Sequence, residues 1–108
     1  PQIKEEEKEY SGPTNITYEF IEAPLQRKSY KLPVPVYKCH GFGVVEVNIE
    51  VNNSGDVTSA KANVIEATED PECLSEVAEK FALRTKFRAD FNAPASQRGK
   101  IVYSFVAQ

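Results

Sequence analysis

Residues 43–64, GVVEVNIEVNNSGDVTSAKANV, decide the architecture, because they encode a hairpin almost without ambiguity. Val45, Val47, Ile49 and Val51 alternate with Glu46, Asn48 and Glu50, the period of a strand with one face buried and one in water. Asn52-Asn53-Ser54-Gly55 supplies residues that tolerate positive φ, so the chain turns there, and Val57 restarts the apolar pattern. The returning strand is less regular. Val57 and then Ala60, Ala62 and Val64 change parity, and a bulge or kink near Ser59 reconciles them.

Downstream, Asp70 can cap a helix, Pro71 fits its first position, and Glu72 favours the positive end of its dipole. Leu74, Val77, Ala78, Phe81 and Ala82 recur at three- and four-residue spacing, one apolar stripe of a helix that lies on a sheet and ends near Thr85. Phe87 and Phe91 flank a charged Arg88-Ala89-Asp90, and residues 92–96 are loop. A last strand follows over residues 100–106, with Ile101, Tyr103 and Phe105 on one face and Val102, Ser104 and Val106 on the other.

Upstream, Ile16, Tyr18 and Phe20 alternate with Thr17 and Glu19, a short strand that Pro24 ends. Tyr30 and Leu32 form a second short extended piece. Pro33 and Pro35 remove ladder donors, so residues 33–36 run along the surface of a sheet rather than through its middle. Gly41-Phe42-Gly43 reads as a flexible joint. Residues 1–10, PQIKEEEKEY, are charge-dense with almost nothing to bury and read, with Ser11-Gly12-Pro13, as a disordered or linker tail.

The chain has 108 residues and a formal net charge of −3, which suits one domain with one modest core and gives no general attraction to nucleic acid or anionic lipid. No apolar run approaches the length that crosses a bilayer. The chain starts at Pro1 with no charged-then-apolar leader, so any targeting segment is expected outside it.

Taken together, the hairpin, then DPECLSEVAEKFALRTKF, then QRGKIVYSF, resemble the C-terminal domain of TonB, the energy-transducing protein of Gram-negative envelopes, in its Bacteroidetes form. The carriers are the G-x-V-x-V-x-I-x-V-x-x-x-G-x-V-x-x-A pattern, the helix with its exit, the last strand, and the proline-bearing lead-in LPVPVYKC. They span roughly residues 32–105, with the domain assigned to 14–108 and its core to 41–106. The resemblance implies an α+β fold: a three-stranded antiparallel sheet with one or two helices packed on one face. Residues 16–21 are free to add an N-terminal strand or to cross the sheet.

The same resemblance implies a periplasmic domain, anchored in the inner membrane and coupled to a motor complex there through a region outside this chain. Its partner is a peptide segment of an outer-membrane TonB-dependent receptor, taken as an added strand. An edge strand offers unpaired amides and carbonyls that such a segment completes. The last strand is the expected edge. Backbone atoms of Lys100, Ile101, Val102, Tyr103, Ser104 and Phe105 carry the ladder, and Gln97, Arg98 and Tyr103 offer side-chain contacts. Against this, Ile101 and Phe105 read as the core face of the strand, and Tyr103 reads either way. A second reading keeps the fold but makes it an interaction or sensing domain fused to another envelope protein, a peptidase or regulator. A third is a secreted, cystatin-like inhibitor, for which no inhibitory loop motif is present.

A periplasmic setting also favours a disulfide between Cys39 and Cys73, stabilising by about 4 kcal/mol through the loop it closes. Two independent buried thiols are the alternative. Cys39, His40 and Cys73 lack a fourth metal ligand at any recognised zinc spacing, and no cofactor is expected. Catalysis is not expected either. The only histidine, His40, adjoins Cys39 on an extended chain where neighbouring side chains point apart, the carboxylates fall at water-facing positions, and the glycines at 41 and 43 lack the lysine and helix of a phosphate loop.

Overall fold

Alternating residues in four segments build one antiparallel sheet. The structure, a computed structural model, describes residues 14–105. The tail expected over residues 1–13 and Val106 of the last strand lie outside the described residues. In chain order the elements are β1 (Asn15–Phe20), β2 (Ser29–Lys31), β3 (Gly43–Val51), β4 (Val57–Ala67), α1 (Pro71–Leu83), β5 (Lys86–Phe87) and β6 (Gln97–Phe105). The main sheet runs β1-β6-β3-β4, and β2 pairs with β5 in a two-stranded ribbon. The sheet thus has four strands rather than three, because residues 15–20 pair antiparallel with β6. One helix, α1, lies against β4 and β3.

The β3–β4 hairpin forms as its pattern dictates. Gly55 closes the turn at φ 97°, where a Cβ would stand 2.0 Å from the Phe87 carbonyl oxygen. The Gly55 amide donates to the Asn52 carbonyl at 3.0 Å. The register slips between the pairs Glu50↔Ser59 and Val51↔Val57, which places the extra residue at Thr58 and accounts for the parity change at Ser59. A second slip, between Val44↔Glu66 and Val45↔Val64, was not visible in the pattern.

The inner face of the sheet carries Val45, Val47, Ile49, Val51, Ile101, Tyr103 and Phe105, all buried. Over β3 and β4 it is covered by Leu74, Ala78, Phe81 and Ala82 of α1. Burying Leu74 and Phe81 stabilises by about 2 kcal/mol each. Over β6 and β1 it is covered by irregular chain. Pro35, Tyr37 and Cys39 are buried while Val34, Val36, Lys38 and His40 face outward. The Tyr37 ring meets Phe105 edge-on at 5.1 Å between centroids. The proline segment therefore lies across the face of the sheet, as its missing donors require.

One expectation for the helix needs correction, its cap, while its end falls near Thr85 as its pattern predicts. Asp70 does not cap it with its side chain; it sits at φ 55°, in the left-handed region, where Pro71 already removes one of the amides a cap would satisfy. The helix stops at Leu83, with the Arg84 amide on the Phe81 carbonyl and the Thr85 amide on the Ala82 carbonyl. Thr85 is buried, and its hydroxyl donates back to the Phe81 carbonyl at 3.0 Å.

Candidate functional site

β6 is not an edge. It pairs with β1 on one side and β3 on the other, so it offers no free ladder to a partner. The parity is settled at one end, where the Ile21 amide donates to the Arg98 carbonyl at 3.0 Å. Antiparallel alternation then turns the amides of Lys100, Val102 and Ser104 toward β1, and those of Ile101, Tyr103 and Phe105 toward β3. The backbone atoms expected to receive a partner are paired within the chain.

The side chains of the expected contact set divide in the same way. Ile101, Tyr103 and Phe105 are core, at 0%, 0% and 1% exposure. Tyr103 stacks on Phe105 with centroids 6.0 Å apart. Burial pushes its phenol up to about 12, against a smaller opposing pull from Thr85. Val102 and Ser104 are half-buried on the opposite, helix-free face. Lys100 on that face pairs with Glu46 at 3.2 Å. Arg98 pairs with Glu22 at 3.1 Å, and its own amide also donates to a Glu22 oxygen. These bonds hold the Glu22 carboxylate below its ordinary range, the Arg98 amide first.

Gln97, expected as a surface contact, is fully buried and belongs to a polar cluster at the hairpin tip. Its carboxamide donates to the Glu22 and Pro24 carbonyls at 2.8 and 2.9 Å and accepts from Arg27 at 3.0 Å. Arg27, only 5% exposed, also donates to the carbonyls of Arg88, Asn52 and Asn53. Burial lowers its pKa, and Asp90 opposes that shift. Asn53 donates onward to the Ala93 carbonyl at 2.6 Å. A buried charge is tolerated here because backbone carbonyls take its protons in place of water. Arg27 drew no notice in the sequence. Gln97 had a signal: it is in phase with Ile101, Tyr103 and Phe105, so a polar residue falls at a core position.

The two outer strands of the sheet are β1 and β4. β4 is guarded. The Ala62 amide, on its outer side, donates to Glu79 of α1 at 2.8 Å. At its start Asp56 bridges to Lys86, whose ammonium group lies against the Asp56 carboxylate. On β1, the amides of Ile16 and Tyr18 point away from β6, and no hydrogen bond among the described residues reaches them.

Cys39 and Cys73 form a disulfide, with Cα atoms 5.7 Å apart. It ties the proline segment to the first turn of α1. Among the described residues no three His, Cys, Asp or Glu side chains converge as a metal-binding group. On the helix-free face, a shallow trough of about 340 Å³ opens between Ile21, Asn48, Ser59, Lys61 and Arg98. It is a dent where short side chains lie among long ones. Compared with protein-family models, curated proteins and solved structures, the chain matches none.

Proposed function

We propose that this chain is a TonB-type interaction domain of the Gram-negative periplasm. In this reading it takes an extended segment of an outer-membrane receptor as an added strand on the β1 side of its sheet. It acts as a binding module rather than an enzyme, and a region outside the chain links it to an inner-membrane motor. The observation that carries the reading is the contrast between the two outer strands: β4 has Glu79 on its outward Ala62 amide and the Asp56–Lys86 bridge at its start, whereas no outward amide of β1 meets a hydrogen-bond partner among the described residues. An uncovered ladder is what strand addition requires. The ordered succession of hairpin, helix and last strand supports the family assignment, and the disulfide suits an oxidising compartment.

The test is a titration of receptor N-terminal peptides into labelled protein, followed by amide shifts in NMR. Shifts centred on β1 and on the β1-facing amides of β6 are expected. Shifts confined to β4 and α1, or no saturable binding to any receptor segment, would end the reading.

A further inference from the structure

Among the described residues, most of the hydrogen bonds that fasten the chain near β1 lie after it. Glu22 and Pro24 are held through their carbonyls by Gln97, Arg27 is fastened by four donors to Arg88, Gln97, Asn52 and Asn53, and the disulfide closes at Cys39. β1 precedes all of these. Besides its ladder with β6, it is held by Tyr18 and Phe20, whose rings meet Phe87 edge-on at 5.2 and 5.0 Å, and by the Tyr18 hydroxyl, which accepts from the Ser29 amide at 2.9 Å. Its burial falls away from Phe20, which is 6% exposed, to the half-buried Tyr18 and Ile16. The ladders that join β3, β4 and β6 to one another use no residue of β1.

The slot that β1 fills has a shape. Gly99 lies opposite Phe20, and a Cβ at Gly99 would stand 2.9 Å from the Phe20 ring. The missing side chain is thus the seat of the aromatic ring. Tyr18 lies opposite Ile101, and Glu19, on the other face, lies opposite Lys100. Lys100 is already paired with Glu46, so the slot reads the two aromatic residues at alternate positions, Tyr18 and Phe20.

From this we infer that β1 is an exchangeable strand: the chain's own Tyr18-Glu19-Phe20 occupies the β6 ladder as a placeholder, and an extended partner segment with aromatic residues at two alternate positions displaces it. The inference rests on the strand-addition reading and specifies it, since the incoming segment pairs with β6 itself rather than outside β1. Lys100, Val102 and Ser104, which face β1, become its ladder partners after all. The displaced β1 leaves as a unit because the fastening at Glu22, Pro24 and Arg27 stays intact.

The test uses the full chain and the synthetic peptide TNITYEFI, the sequence of residues 14–21, with TNITYEAI as its control. In native-state hydrogen exchange, the amides of Thr17, Glu19, Lys100 and Val102 are expected to exchange at least tenfold faster than those of Ile101 and Tyr103. Unlabelled TNITYEFI added to labelled protein should move the β1 resonances to unpaired positions while Lys100 and Val102 remain protected. TNITYEAI should bind at least tenfold more weakly. Equal exchange on the two sides of β6 would overturn the inference. So would a peptide that leaves β1 in place and protects Ile16 and Tyr18 instead, a result that preserves strand addition with β1 as acceptor. A dimer that exchanges β1 between copies, in place of the peptide complex, would overturn the assignment of the occupant. Exchange with TNITYEFI but with no receptor segment would uphold the inference and end the receptor reading.

Discussion

The two outer strands of the sheet are protected in opposite ways. β4 is eleven residues long, twice bulged, and has a helix carboxylate on its outward Ala62 amide. β1 is six residues long, and among the described residues no side chain lies on its outward Ile16 and Tyr18 amides. Bulges, short edges and side chains laid on free amides all discourage unwanted pairing. Only the first and last of these close a ladder, and β4 has both. Among the described residues a helix carboxylate lies on one outer strand and none on the other, which is the difference the proposed strand addition to the β1 side rests on.

The largest test of this contrast is removal of the disulfide, which fastens the helix that guards β4. Cys39→Ala with Cys73→Ala should lower stability by about 4 kcal/mol in urea denaturation. Amide exchange in β4 should rise more than in β1. Next is Phe20→Ala, which empties the seat over Gly99 and should cost about 3 kcal/mol. The expected signature is faster exchange at Thr17 and Glu19 with β4 unchanged; equal loss of protection on both sides would mean that the sheet opens as one body.

Tyr103 lies beneath the strand that joins the two sides, and pH probes it. Its folded pKa is raised to about 12 by burial, above the ordinary value near 10 of an unfolded chain. The neutral phenol therefore contributes stability that is complete below about pH 10 and is lost as pH rises toward 12. Urea midpoints across this range should fall less steeply for Tyr103→Phe. The same variant should be nearly neutral at pH 7, because the hydroxyl makes no hydrogen bond of standard geometry among the described residues. The smallest effect is expected for Glu79→Ala. Loss of its bond to the Ala62 amide should cost about 1 kcal/mol. It should also open a second ladder, so that sedimentation shows concentration-dependent association absent from the parent chain.

Much of the scaffold was legible because side-chain periodicity announces it. Val45 to Val51 alternate over a whole strand, and Leu74, Ala78, Phe81 and Ala82 mark one helical stripe; both lie where their patterns predict. The β2–β5 ribbon was half hidden. Tyr30 marked an extended piece, yet Lys86–Phe87 is too short to show a period. The expectation that the last strand is an edge failed for a different reason. Residues 100–105 have the pattern of a strand with one buried face, and that pattern is the same for an edge strand and for one flanked on both sides. The Arg27 cluster was illegible because its acceptors are mostly backbone carbonyls, which leave no trace in residue identity.

The sequence by itself determined which residues turn, which segments alternate, and which faces are apolar, since these follow from local backbone preference and from the periods of strand and helix. Tertiary structure decided that β1 lies beside β6, that Glu79 reaches the Ala62 amide, that Cys39 meets Cys73, and that Gln97 is buried. Ladder bonds join backbone groups that are nearly the same in every residue, so the choice of neighbouring strand depends on how the faces pack. Here Phe20 lies over Gly99, residues far apart in the chain that meet only once the sheet has formed.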